Sequence, residues 1–174
     1  MDFIQLREKE LSVREMEILA RSAVDAVRTG TNTRLLINSR SDVAIACRAD
    51  GVHLRGDDIS ANVAGEIWTK AGVPERVVSV SCHTRAEVKR AADQAASFAV
   101  FAPVFEKLGT GAHPAGLEKL ADACREKIPV LALGGITLEN APACLWAGAA
   151  GVAGVRLFQE NDLETTVQRL RGLT

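Results

Sequence analysis

The sequence predicts an α/β fold, a TIM (β/α) barrel that lacks its first β/α unit and has about seven parallel strands. Short apolar runs alternate with segments of helical period along the whole chain. Strands this apolar are typical of parallel sheets covered by helices. Alanine and glycine crowd the helical segments, and polar residues recur just after the strands, where barrel active sites form. No Gly-x-Gly-x-x-Gly motif follows the first strand, which disfavours an open dinucleotide-binding sheet.

Seven strands are predicted, at Phe3–Leu6, Leu35–Asn38, Gly51–Leu54, Val77–Ser81, Phe98–Ala102, Val130–Leu133 and Gly151–Val155. The first helix is expected to start at a capping box made by Ser12 and Glu15, and Gly30 is expected to end it. Thr84 and Glu87 predict a second box. Because a barrel closes with eight units, we expect a missing unit or an unclosed barrel, whose open strand edges favour a homo-oligomer.

The composition is typical of an ordinary globular protein. The 174 residues suit one barrel domain over residues 1–174, with 47% hydrophobic and 25% charged residues. The net charge of −1 gives no basic field for nucleic acid, and no apolar stretch is long enough to span a membrane. The start of the chain has no signal-peptide core and the four cysteines stand singly, so a cytoplasmic location is expected.

The end of the first strand carries a candidate anion site. Residues alternate between the two faces of a strand, so Gln5 and Arg7 are expected to point into the barrel mouth with Lys9 just above them. A guanidinium beside an ammonium suits a polyanion such as pyrophosphate. The alternative is a charged strand end that meets only solvent or an ion-pair partner.

The next two strands also end in polar residues. Asn38 follows the second strand, and Asp57 and Asp58 follow the third. Adjacent carboxylates can hold Mg²⁺ when phosphates supply further oxygens, although such a pair equally suits a turn or a helix cap. His53 lies within the third strand and is expected to be a hydrogen-bonded core histidine.

Later strand ends add further candidates. Ser81 and His83 alternate onto one face after the fourth strand, but no Gly-x-Ser-x-Gly elbow supports a serine nucleophile. The glycine-rich stretch that contains Lys107 is typical of a lid or of a long surface loop. The loops of Gly134–Gly135 and Arg156 follow the last two strands, which in a barrel form the usual phosphate site.

Five motifs occur in one order and spacing: Gln5-Leu6-Arg7-Glu8-Lys9, Gly51-Val52-His53-Leu54, Ser81-Cys82-His83-Thr84, Pro103-Val104-Phe105 and Gly134-Gly135-Ile136-Thr137. Over nearly its whole length the chain resembles the thiamine-phosphate synthase/TenI family. The resemblance implies a TIM barrel that works in thiamine biosynthesis. It also implies a transferase that joins hydroxymethylpyrimidine pyrophosphate to thiazole phosphate and releases pyrophosphate with the help of Mg²⁺. Its partners would be these phosphorylated small molecules.

The resemblance assigns roles to individual residues. The matching positions are Gln5, Arg7, Lys9 and Asn38 for pyrimidine or pyrophosphate contacts, Asp58 for a magnesium ligand, Ser81 for a catalytic serine near the pyrimidine, and Gly135 for the thiazole-phosphate stretch. The strand-end pattern adds His83 as a catalytic candidate, and Gly134 and Arg156 as thiazole-phosphate contacts, although Arg156 stands where the family has a serine. Lys107 offers a positive charge for pyrophosphate but is offset from the family position.

Several positions depart from the family pattern. Ser39 stands where the family has a second magnesium aspartate, which weakens the predicted Mg²⁺ site, and Arg55-Gly56 replaces Gly-Gln. Two alternatives therefore stay open. One is a TenI-like thiazole-phosphate tautomerase, although its histidine corresponds to Pro103 and His83 or His113 would have to act as the base. The other is a non-catalytic relative that binds a phosphorylated ligand.

Overall fold

Strands and helices alternate along the chain in the computed structural model, which describes residues 1–73, 75–106 and 113–173. The strands are β1 (Phe3–Leu6), β2 (Arg34–Asn38), β3 (Gly51–Leu54), β4 (Val77–Cys82), β5 (Phe98–Phe101), β6 (Val130–Ala132) and β7 (Gly151–Val152). The helices are α1 (Val13–Arg28), α2 (Ser41–Ala46), α3 (Ala61–Lys70), α4 (Arg85–Asp93), α5 (Gly116–Ala123), α6 (Ala141–Trp146), α7 (Arg156–Gln159) and α8 (Leu163–Arg171). The predicted α/β class with seven parallel strands is confirmed.

The chain divides into two compact units, and the boundary lies inside β4. The first unit comprises Met1–Val80 and Gln94–Ser97, and the second comprises Ser81–Asp93 and Phe98–Thr174. The prediction of a single domain over residues 1–174 stays a prediction.

In the first unit, β1, β2, β3 and the start of β4 pair side by side, all parallel. The register aligns Asn38 with His53 and His53 with Ser79. Because aligned residues of neighbouring parallel strands project to the same face, these three polar side chains form one row across the sheet.

The first unit closes its core with α1. The predicted capping box is present, since Ser12 accepts from the Glu15 backbone N–H and the Glu15 carboxylate accepts from the Ser12 N–H. Three residues at spacings of four, Met16, Ala20 and Val24, are buried against the sheet. Their cluster includes Leu35, Ile37, Val43 and Trp68, so α1, α2 and α3 cover the same apolar face.

In the second unit, β5, β6 and β7 are parallel, and all four residues of β5 are buried. The second predicted capping box opens α4, where Thr84 Oγ1 accepts from the Glu87 N–H at 3.2 Å. Strand β7 is shorter than the predicted Gly151–Val155. The chain turns at Gly154 into α7, which buries Leu157, and a Cβ on Gly154 would lie 2.9 Å from the Leu157 Cβ. None of the described helices is long and apolar enough to cross a membrane.

Candidate active site

The row of polar side chains predicted at the first strand ends is present in the first unit. Gln5 Nε2 donates to Asn38 Oδ1 at 3.2 Å, which joins the ends of β1 and β2. Arg7 and Lys9 follow on the same segment, both exposed, and neither forms an ion pair with any described residue. Two unpaired cations beside an amide pair give this edge of the sheet the chemistry of an anion site.

His53 and Ser79 form a buried pair in the same row. His53 Nδ1 lies 2.8 Å from Ser79 Oγ, and the two residues are 8% and 0% exposed. Burial, with the nearby Arg7 charge, lowers the pKa of His53 from 6.5 to about 4, against a smaller opposing effect of Asp58. His53 is therefore neutral at pH 7, and its predicted role as a hydrogen-bonded core histidine is confirmed.

Asp58 is held by a dense set of donors. Its Oδ2 accepts from Ser39 Oγ at 2.7 Å and from the Arg55 backbone N–H at 2.7 Å. Its Oδ1 accepts from Arg55 Nη2 at 3.2 Å. Burial is the largest single influence and raises the pKa of Asp58, but these hydrogen bonds together outweigh it and lower the pKa overall. Asp58 is thus an ionised carboxylate whose two oxygens already have partners.

This donor set does not fit the predicted magnesium ion. Mg²⁺ needs several oxygen ligands in near-octahedral geometry, and here a guanidinium lies on the carboxylate that would bind it. Ser39 offers only a neutral hydroxyl, which already donates to Asp58. Among the described residues, no cluster of three or more His, Cys, Asp or Glu side chains could hold a metal. Magnesium binding at Asp58 stays an untested prediction, and the geometry argues against it.

The second unit places His83 at the end of β4. His83 Nδ1 lies 2.7 Å from the Ala102 carbonyl oxygen. Because a carbonyl can only accept, Nδ1 carries the hydrogen, and in the neutral ring Nε2 is left as a proton acceptor. The residue is exposed, and this hydrogen bond fixes the orientation of its ring.

Cys82 lies between the two predicted catalytic residues Ser81 and His83. Its side chain is fully buried, and burial raises the pKa of the thiol to about 12. Because the thiolate is the reactive form, Cys82 is inert at neutral pH. Any chemistry on this segment is left to Ser81, which is partly exposed, and to His83.

The loop after β6 has the form of a phosphate cradle. A Cβ on Gly134 would lie 2.7 Å from the Pro103 Cα, and one on Gly135 would lie 2.6 Å from the Glu106 carbonyl oxygen. Both residues have positive φ, 97° and 64°, so only glycine fits. Asn140 fixes the loop because its Nδ2 donates to the Gly135 carbonyl at 2.9 Å. The Gly134 and Gly135 N–H groups donate to no other described residue, which leaves them available to an anion.

Two predicted contacts are less constrained. Arg156 is the exposed first residue of α7 and forms no ion pair with a described residue. Lys107 lies outside the described residues. The assignments of all the predicted site residues therefore stay predictions, with Gln5, Arg7, Lys9, Asn38 and Asp58 gathered in the first unit and Ser81, His83, Gly134, Gly135 and Arg156 in the second.

Three contributors were not predicted as site residues. The Ser79 partner of His53 follows from the strand register, which the sequence does not state. Asn140 acts on the glycine loop from five residues away through its side chain. In the sequence Arg55 is only a departure from the family pattern, because its contact with Asp58 depends on the fold of the loop after β3.

Comparisons with known proteins agree with these features. The model of the family described as thiamine monophosphate synthase matches residues 1–158. A Geobacter sulfurreducens protein, provisionally named a thiamine-phosphate synthase, is 44% identical over 153 residues, which are 86% of this chain and 70% of that protein. A thiamine-phosphate synthase from Roseiflexus is 40% identical over 154 residues, 86% of this chain and 63% of that protein.

Among solved structures, thiamine phosphate pyrophosphorylase from Pyrococcus furiosus superposes with a TM-score of 0.83 at 30% identity, over 98% of this chain and 81% of that one. The sequence relatives and this structure do not favour the tautomerase or the non-catalytic alternative. The chain therefore belongs to the thiamine monophosphate synthase family, and its place is in thiamine biosynthesis.

Proposed function

We propose that the protein transfers the pyrimidinylmethyl group of hydroxymethylpyrimidine pyrophosphate to the ring nitrogen of thiazole phosphate. The carbon–oxygen bond to pyrophosphate breaks, and its electron pair leaves with the pyrophosphate. A new carbon–nitrogen bond then forms with the lone pair of the thiazole nitrogen. No oxidant or reductant is needed.

The observation that carries the proposal is the pair of cations Arg7 and Lys9, which form no ion pair with a described residue, beside the hydrogen-bonded Gln5 and Asn38. Fixed positive charge stabilises a leaving group in proportion to the negative charge that develops on it. Pyrophosphate takes up a large negative charge as it leaves, so nearby cations stabilise it strongly. In this proposal Arg7 and Lys9 hold the pyrophosphate, while Gln5 and Asn38 orient the pyrimidine ring. A protein that only isomerised a thiazole phosphate would not need residues that bind pyrophosphate.

The second unit would hold the acceptor. The N–H groups of Gly134 and Gly135, which donate to no other described residue, suit the three oxygens of a phosphate monoester, and Arg156 would add positive charge. His83, oriented by the Ala102 carbonyl, and Ser81 would contact the reacting rings. These residues position rather than attack, because the nucleophile is the thiazole nitrogen.

The direct test is product formation from the two phosphorylated rings. Wild-type protein is expected to form thiamine phosphate and inorganic pyrophosphate in equal amounts, measured by chromatography and a pyrophosphate assay. The Arg7→Gln variant should lose most of this activity, while Arg21→Gln, which removes an exposed arginine on α1, should keep it. A wild-type protein that isomerises thiazole phosphate alone, without forming a joined product, would contradict the proposal.

The setting of this activity also belongs to the proposal. The four cysteines are free, which suits the reducing cytoplasm. The partners would be the two phosphorylated substrates. An association between copies is expected at the edge of β1, where Ile4 is 37% exposed, and size-exclusion chromatography with light scattering would measure it.

A further inference from the structure

Arg55 occupies an unusual position at the end of β3. Its Nη2 donates to Asp58 Oδ1 at 3.2 Å, and its Nε donates to Ser39 Oγ at 3.2 Å. Its Nε also lies 3.5 Å from Asp57 Oδ1. The guanidinium is therefore held by contacts with two separate loops, those after β2 and β3.

The same contacts take up the groups that could have held a divalent cation. The Asp58 carboxylate is only 12% exposed, and both of its oxygens already accept hydrogen bonds. Ser39 donates its hydroxyl hydrogen to Asp58 and accepts from Arg55, so its oxygen too has its partners. The guanidinium of Arg55 is thus a positive charge carried by the chain itself. It lies where Asp58 and Ser39 could otherwise bind a cation from solution.

Arg55 nonetheless keeps donors for a ligand. A guanidinium has five N–H groups, and two of them are used by Asp58 and Ser39, which leaves three without an acceptor among the described residues. The side chain is 45% exposed. A chain of hydrogen bonds from Gln5 to Asn38, from Asn38 to Ser39 and from Ser39 to Asp58 links this cluster to the end of β1, the segment that continues to Arg7.

We propose that Arg55 replaces a divalent metal as the cation that receives the pyrophosphate group, so that this protein binds pyrophosphate without Mg²⁺. The inference rests on the proposed function, because it assumes that pyrophosphate binds beside Arg7. In this arrangement Asp58 and Ser39 are positioning residues that orient the arginine fork. A planar fork suits phosphate oxygens through two parallel hydrogen bonds, which a point charge such as lysine cannot reproduce.

The experiment is calorimetric titration with inorganic pyrophosphate, once in excess EDTA and once in MgCl₂. For the wild type we expect dissociation constants that differ by less than about threefold between the two conditions. In EDTA, Arg55→Gln should weaken binding about tenfold or more, and Arg55→Lys should restore only part of the loss. Arg21→Gln is the matched control, because it removes another exposed arginine that pairs with a carboxylate.

A double variant tests the same idea in reverse. Ser39→Asp combined with Arg55→Gln removes the built-in cation and pairs two carboxylates, so pyrophosphate binding should now require Mg²⁺. Urea unfolding of each variant shows whether it is folded, and a purely structural role for Arg55 would lower the unfolding midpoint while leaving the affinity of the folded protein unchanged.

The outcomes separate the two proposals. Wild-type binding that disappears in EDTA, or an Arg55→Gln variant with wild-type affinity, overturns the role of Arg55 and leaves the transferase proposal standing. If the wild type binds no pyrophosphate in either condition, the anion site itself is wrong, and both proposals fail.

Discussion

In the glycine loop after β6, an added methyl group has two effects that can be measured separately: backbone strain at positive φ and a collision with the main chain. Gly135 has φ of 64°, and a Cβ there would lie 2.6 Å from the Glu106 carbonyl oxygen and 2.8 Å from the Phe105 Cβ. Gly30 has a similar φ of 77°, but a Cβ there would meet nothing within 4 Å. Replacing each by alanine therefore adds the same backbone strain, while only Gly135 adds a collision with main chain.

The magnitudes follow from these contacts. An L residue in the left-handed region costs roughly 1–2 kcal/mol, so Gly30→Ala should lower the free energy of unfolding by about that amount. Gly135→Ala adds an overpacking cost of about 1–3 kcal/mol, because a carbonyl oxygen of the main chain cannot move aside as a flexible side chain would. For a chain of this size each kcal/mol corresponds to about 2–4 °C in melting temperature. The Gly135 variant should therefore melt several degrees below the Gly30 variant.

The assay is urea unfolding and thermal melting of both variants beside the wild type, with titration of inorganic phosphate as a functional measurement. Gly135→Ala should also weaken phosphate binding, since relief of the collision moves the loop whose N–H groups are proposed to bind it. Gly30→Ala should leave phosphate affinity unchanged. Equal melting temperatures for the two variants would refute the close packing of the loop against residues 105 and 106.

Three further predictions concern the first unit. Arg7→Ala should weaken pyrophosphate binding about 10- to 100-fold, the range expected when hydrogen bonds to a charged group are lost, and unchanged affinity by calorimetry would remove Arg7 from the site. Ser79→Ala should lower the free energy of unfolding by about 1–3 kcal/mol in a urea titration, because the buried His53 Nδ1 loses its partner; no loss would contradict that pairing. His53 should make the protein less stable as the pH falls from about 6.5 towards 4, since the unfolded chain takes up the proton near 6.5 and the folded protein only near 4. In His53→Asn this part of the pH dependence should disappear, and an unchanged slope between these pH values would show that another group is responsible.

The sequence predicts the strand-and-helix pattern well because the pattern is local. The apolar runs and the two capping boxes lie within short segments, and β1 and β3 have the predicted bounds. Strands β2, β4, β5 and β6 each differ from the predicted bounds by one residue at one end, and the largest difference is in β7, for which the apolar run predicts an end at Val155. Strand β7 ends at Val152, and Leu157, beyond the apolar run, comes so close to Gly154 that a Cβ there would lie 2.9 Å from the Leu157 Cβ. A run of apolar residues alone does not reveal that contact.

The site is predictable only in part, for the same physical reason. Alternation along β1 predicts that Gln5 and Arg7 share a face, but the hydrogen bond from Gln5 to Asn38 depends on the pairing of two strands that are far apart in sequence. The same is true of His53 and Ser79. Strand register therefore supplies the partners that residue spacing cannot.

Arg55 extends this argument from geometry to charge. The sequence shows that Ser39 lacks the charge of an aspartate, and that observation alone predicts a weaker site for a cation and hence a weaker grip on pyrophosphate. The structure adds a compensating change on the neighbouring loop, because Arg55 lies against both Asp58 and Ser39.

A cation that belongs to the chain differs physically from a bound metal ion, since its local concentration does not depend on the metal in solution. It also remains when the product leaves. Pyrophosphate release from a fixed arginine must therefore break charge-assisted hydrogen bonds directly, instead of carrying the cation away as a complex, so salt should accelerate release more strongly than chelators do.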